Sequence, residues 1–167
     1  MRLLDGHLTV EDLDSLLATL DDIAEETGPT VQAFDADYVV SAAHLQRAVE
    51  RADRAIARGE NVARDRAVEI LCYAAGRRQI NRALEMGVTE GENRVVVLVD
   101  SAAGDETAEE EAIAALREHV EEADMLGAYD EPTVRAFFDV TQAELAAVEG
   151  TLADVVLERV ALLDVEK

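Results

Sequence analysis

Residues 69–88 read EILCYAAGRRQINRALEMGV. From Arg66 to Ala75 the side chains are apolar on nearly every side, so a helix here is mostly buried. Gly76 interrupts it. A second helix is predicted from Arg77 to Met86, with Ile80, Ala83 and Leu84 on one face and Gly87 as its stop. Three arginines, Arg77, Arg78 and Arg82, gather around this break in a chain whose net charge is -22. A protein that acidic repels polyanions, so the cluster needs a reason.

Outward from this stretch, the preceding helix is the clearest in the chain. Ser41 is placed to cap it, and it runs to Arg58 with Gly59 just beyond. Leu45, Ala48, Val49, Ala52 and Ile56 form its apolar stripe. Arg47, Arg51, Arg54 and Arg58 fall within about 60° of arc on the opposite side. Residues 61–65 read as a loop. Further upstream, residues 2–8 are a strand or an extended lead-in. A weak Thr9/Asp12 capping pair opens a helix from Val10 to Thr27, with Leu13, Leu16, Leu17, Leu20 and Ile23 facing inward. Gly28-Pro29 ends it, Thr30–Asp35 is a short strand, and residues 37–40 are strand or turn.

Downstream, residues 94–100 (RVVVLVD) make the best strand, and its unbroken apolar run predicts cover on both faces. A helix from Thr107 to Ala123 is expected to bury Ile113, Leu116 and Val120. Its acids Glu109, Glu110, Glu111, Glu118, Glu121 and Glu122 are expected to be mostly solvated. Asp130 with Pro132 starts a short helix, and Thr141-x-x-Glu144 starts another that ends at Gly150. Thr151-x-x-Asp154 opens the last segment, read as helix with strand possible near its end. The prediction is one α+β domain over residues 1–167, mainly helical with a small β-sheet.

Composition supports a protein of that kind. The 167 residues suit a single domain, and 49% are hydrophobic. Tryptophan is absent, and small residues imply close helix packing. Acids number 37 and bases 15, and Lys167 is the only lysine. Acid excess with so little lysine is what a halophilic, very salty cytosol favours. Cys72 is the only cysteine, which excludes an intrachain disulfide and fits a reducing compartment. No stretch approaches the ~20 apolar residues of a membrane span, and the N-terminus turns acidic too early for a signal peptide. A cytoplasmic protein without membrane contact is expected.

The charge is unevenly spread. Residues 44–82 hold nine arginines against five acids, a net +4, so the remainder carries -26. Such arginines either pair with acids on neighbouring helices, form a solvated face, or bind an anion, most naturally nucleic acid. Arginine suits phosphate because its planar fork donates two hydrogen bonds at once. At molar ionic strength the Debye length is about 3 Å, so binding would rest on close contacts and on stacking with unpaired bases. Arg77, Arg78, Gln79, Ile80, Asn81 and Arg82 are the candidates at the glycine break. Arg47, Arg51 and Arg54 are the candidates on the preceding helix. Ile80 is read either as core or as an apolar seat for a base. Glu69, in a nearly apolar helix, needs a partner, and Arg66 or Arg77 is in reach.

Catalysis finds little support. His7, His44 and His119 match no ligand spacing, and Cys72 sits in a buried helix without a CxxC motif. Walker A, GxSxG, HExxH and GxGxxG motifs are missing. No cofactor or metal is expected. A small hydrolase or transferase using Cys72 or a carboxylate is kept only as a third reading.

Together, Glu69, Ile70, Leu71, Gly76, Arg78, Gln79, Ile80, Ala83, Leu84, Gly87 and Val88 form a familiar pattern. His44, Leu45, Ala48 and Ala52 lie upstream of it, and Glu158 to Leu163 close it. The chain resembles the TPRKB-like (PRPK-binding) small subunit of the KEOPS (EKC) complex, in a halophilic archaeal form. That machine installs threonylcarbamoyl on adenosine (t6A) beside the anticodon of tRNA. The resemblance implies a non-catalytic subunit that binds and stimulates the complex's small atypical kinase. It also implies capture of the single-stranded 3′ CCA tail of tRNA, with Arg78 and Ile80 as contacts and Arg77 and Asn81 beside them. The competing reading is a protein-interaction adaptor with no nucleic-acid contact.

Overall fold

The computed structural model describes residues 1–166. Among them are eight α-helices and one four-stranded antiparallel sheet, an α+β fold. The chain divides into two compact units, residues 1–36 with 87–125 and residues 37–86 with 126–167.

The first unit holds the sheet. Strand β1 (Arg2–Val10) is followed by helix α1 (Leu13–Thr27) and strand β2 (Thr30–Asp35). Strand β3 is Gly91–Asp100; helix α5 (Glu106–Leu116) and the short strand β4 (Glu121–Glu122) follow it. The sheet order is β2-β3-β1-β4, with every neighbouring pair antiparallel. This is a split βαβ arrangement in which the central strands come from different halves. Val95, Val97 and Val99 meet Leu4, Leu8 and Val10 in one cluster with Leu20 and Ile23 of α1 and Ile113 and Leu116 of α5. Val96 and Leu98, which point the other way, are also fully buried, so the apolar run of β3 is covered on both faces as expected.

Several expectations change here. Asp12 is the N-cap of α1 but makes no side-chain cap bond to the backbone, and Leu17 is exposed. Helix α5 stops at Leu116, seven residues short of the expected end. Glu121 and Glu122 instead pair with His7 and Gly6 as an edge strand. Local acid-rich periodicity favours helix there, but an unpaired edge of β1 offers backbone partners, and tertiary pairing wins. A Cβ on Gly6 would lie 2.0 Å from the Glu121 carbonyl oxygen, so only glycine lets β4 approach. Glu109 is buried rather than solvated. It accepts from the Ser101 backbone N–H at 2.8 Å and lies 3.4 Å from the Met1 ammonium.

The second unit is helical: α2 (Ala42–Arg58), α3 (Arg66–Ala75), α4 (Ile80–Ala83), α6 (Glu131–Phe137), α7 (Gln142–Ala147) and α8 (Leu152–Glu166). Residues 37–40 resolve as the end of a 3-10 turn (Ala36–Tyr38) and its exit, not as strand. The Ser41 hydroxyl accepts from the His44 N–H, as its cap position requires. At the other end of α2, Gly59 is left-handed. Its N–H goes to Ile56 and that of Glu60 to Ala55, a Schellman close. Helix α2 packs along α3 and α8. Ile56 is 38% exposed and Ala55 takes its place in the buried stripe, because these two covering helices shift the buried arc. Helix α7 ends at Ala147 rather than Gly150. The final segment is helix throughout its described length, opened by a reciprocal Thr151/Asp154 box.

Candidate functional site

The glycine break is built from both of its sides. Helix α3 is capped by Asp65, which accepts from the Ala67 N–H, and it buries every residue from Glu69 to Ala75. It closes in a Schellman motif: the Gly76 N–H donates to Tyr73 O at 3.1 Å and the Arg77 N–H to Cys72 O at 3.0 Å. Gly76 sits at φ 62° and ψ 35°, the left-handed region that suits glycine.

Past Gly76 the chain departs from the expected helix. Arg77, Arg78 and Gln79 are not helical; Gln79 is the N-cap of α4, which makes one turn before a 3-10 turn over Leu84–Met86. The apolar face is too short to hold a full helix, and only Ala83 and Met86 are buried. Ile80 is 39% exposed and Leu84 55% exposed, so the core reading of Ile80 does not hold. Arg78, Gln79, Asn81 and Arg82 are exposed with them. The structure thus brings two apolar and four polar side chains into one short outward-facing segment.

Arg77 plays a different part from its neighbours. It is largely covered, its guanidinium donates to the Phe137 carbonyl, and its Cζ lies 4.8 Å from the Phe137 ring centroid. Arg159 of α8 donates to the carbonyls of Phe138 and Asp139 and pairs with Glu144 at 2.7 Å. Two guanidinium groups therefore serve the carbonyls at the C-terminus of α6, which lack backbone N–H donors. The Arg159 fork lowers the Glu144 pKa, chiefly through its hydrogen bond. Arg77 ties the first residue after the break to the α6 end, and it cannot swing freely toward a ligand.

His44 supports the other side of the break. Its Nε2 donates to Ala74 O at 2.8 Å, and its Nδ1 accepts from the Val40 N–H at 3.3 Å. This pairing selects the neutral Nε2–H tautomer. Burial lowers its pKa to about 4, against the opposing effect of the Ala74 bond. With both ring nitrogens spent on backbone, His44 has no lone pair to activate Cys72, which is buried. The sequence held this residue but no signal for its role; only the fold places Val40 and Ala74 on its two sides.

Glu69 is fully buried, and its Oε1 accepts from the backbone N–H groups of Val62 and Ala63, both at 3.0 Å. The sequence pointed to Arg66 or Arg77 as its partner. Through the two backbone bonds the carboxylate staples the loop before α3; Arg66 makes a two-pronged pair with Asp53 of α2 at 2.8 and 2.9 Å, and Arg77 serves Phe137.

On α2, Arg54 and Arg58 are exposed and Arg47 and Arg51 half-buried. No group of three or more His, Cys, Asp or Glu side chains suited to a metal occurs among the described residues. No helix among them is long and apolar enough to cross a membrane. A cavity of about 300 Å³ opens in the first unit beside His7, Thr9, Glu92, Asn93 and Glu121.

A family model described as kinase binding protein CGI-121 matches residues 9–164. No curated protein matches the chain. The match runs through the capped helix, the glycine break and the last helix, the segments that carry the TPRKB-like pattern. The chain belongs to the CGI-121 family of kinase binding proteins.

Proposed function

We propose that this protein is a non-catalytic accessory subunit of a KEOPS-type assembly. It binds and stimulates the small atypical kinase there, and it holds the 3′ CCA tail of tRNA for t6A formation. The observation that carries the RNA part is the pairing of exposed Ile80 and Leu84 with exposed Arg78, Gln79, Asn81 and Arg82. An unpaired terminal base needs an apolar surface with a hydrogen-bonding rim, and its phosphate needs a guanidinium at close range. Arg77 and His44 support the reading from behind, since they brace the backbone on either side of Gly76. The kinase part rests on family membership.

Ile80→Glu places a carboxylate where the base would stack. Because Ile80 is exposed, the variant folds as the parent does, and tRNA binding in a filter assay falls by at least ~10-fold, the scale of one stacked base. Removing the CCA tail weakens the parent equally and leaves the variant unchanged. Undiminished binding by folded Ile80→Glu would leave the kinase-adaptor reading standing alone.

A further inference from the structure

The outward face of α2 offers a second, separate feature. Arg47, Arg54 and Arg58 make no ion pair or side-chain hydrogen bond with any described residue. This is unexpected in a chain with 37 acids. Arg2, Arg66, Arg117 and Arg159 all find carboxylates. The acids nearest the row on α2 are Glu50 and Asp53, and Asp53 is taken by Arg66 from α3. Three positive groups on one helix face thus stay uncompensated within an acidic protein.

We propose that this face of α2 is a phosphate ladder that docks an RNA strand through its backbone, apart from the base seat near Ile80. The proposal rests on the RNA-binding reading above. Eleven residues separate Arg47 from Arg58, which on an α-helix is a straight run of about 16 Å. Arg47 and Arg54 are seven residues apart and Arg54 and Arg58 four, about 10.5 and 6 Å along the axis. The shorter step is comparable to the advance from one phosphate to the next along an RNA strand, and the longer to about two such advances. The face has no aromatic or large aliphatic residue: Ala43 and Ala57 are its exposed apolar members, and Ile56 lies on the opposite side. Protein interfaces are anchored by buried aromatic or large apolar side chains, whereas a polyphosphate backbone needs only forked donors spaced along the strand. The direction of the row is set by α3. His44 near the start of α2 bonds Ala74, and Asp53 nearer its end pairs with Arg66, so the helices run antiparallel. Arg47 therefore lies toward the glycine break and Arg58 away from it.

The test is a salt series of tRNA binding by the parent and by the triple variant R47Q/R54Q/R58Q, with tRNA carrying or lacking its CCA tail. Each phosphate contact contributes about 0.7 to the slope of log affinity against log salt for a single strand. The triple variant is expected to lose about 2 from that slope and ~10-fold or more in affinity at low salt, on both RNAs alike. Unchanged affinity and slope would overturn the ladder. If tail removal weakens the parent but the triple variant matches it, the ladder is wrong and the base seat stands. If tail removal has no effect and the triple variant is weaker, the ladder stands and the base seat is wrong. Loss of kinase binding with RNA binding intact would make the face a protein-docking surface and refute the proposal. No RNA binding by the parent refutes both readings. Arg58→Gln alone, at the exposed C-terminal end of the row, serves as the second variant and should lower the slope by about 0.7.

Discussion

Lowering the pH from 7 to 5 should destabilise the fold through His44. The folded state holds this imidazole neutral, with a pKa of about 4 set by complete burial. Unfolded, it titrates near the ordinary value of about 6.5. Between those values the unfolded chain binds more protons, so stability falls as pH falls. This contribution is whole above pH 6.5, is lost at up to about 1.4 kcal/mol per pH unit below it, and levels off below pH 4. From pH 7 to pH 5 the loss integrates to about 2 kcal/mol. Protonation would place a second N–H on Nδ1, facing the Val40 N–H that it now accepts, so no relaxation in place rescues the bond. Urea unfolding of the parent and of His44→Asn at both pH values isolates the effect, since surface carboxylates are common to the two. The variant is weaker at pH 7, because Ala74 O loses its donor, but it should lose about 2 kcal/mol less than the parent on acidification. Equal losses, or an imidazole NMR titration centred near 6.5 in the folded protein, would refute the reasoning.

Other outcomes follow from the same geometry. Gly6→Val drives a side chain into the Glu121 carbonyl, so β4 should detach, with a loss of about 1–3 kcal/mol in thermal or urea unfolding. Gly76→Ala forces a Cβ into the left-handed region without a close steric contact, and should cost about 1 kcal/mol by the same measurement. Arg77→Met removes the donor to Phe137 and should cost about 1–3 kcal/mol; tRNA affinity falls with it if the break must be braced to bind. Glu69→Gln keeps the two backbone acceptor bonds available and should be milder than Glu69→Ala, which leaves the Val62 and Ala63 N–H groups unpartnered.

The parts of the fold legible in the sequence are those set by neighbours in the chain. Helix α2 is readable from Ser41 to Gly59 because both caps are local hydrogen-bond devices, satisfied within a few residues. Strand β2 is bounded by Gly28-Pro29 and matches its expected span, and the apolar run of β3 announces its burial. The candidate site was legible as a list: the arginines, Ile80 and the glycine were all visible. Their division of labour was not. Arg77 and Arg78 are adjacent in sequence, yet one is tied beneath the end of α6 and the other is exposed. Charge and periodicity treat the two alike.

By itself, then, the sequence determined the α+β class, the capped helices, the turn at Gly76 and the family pattern, because dihedral preference, capping and hydrophobic period act over a few residues. Tertiary structure alone decided which of those residues face outward. It turned Glu121 and Glu122 from helix to edge strand, gave His44 its two backbone partners, and shortened the arginine-bearing helix to one turn. Each outcome depends on groups distant in sequence competing for the same hydrogen bonds and the same buried volume. That competition has no counterpart in local pattern.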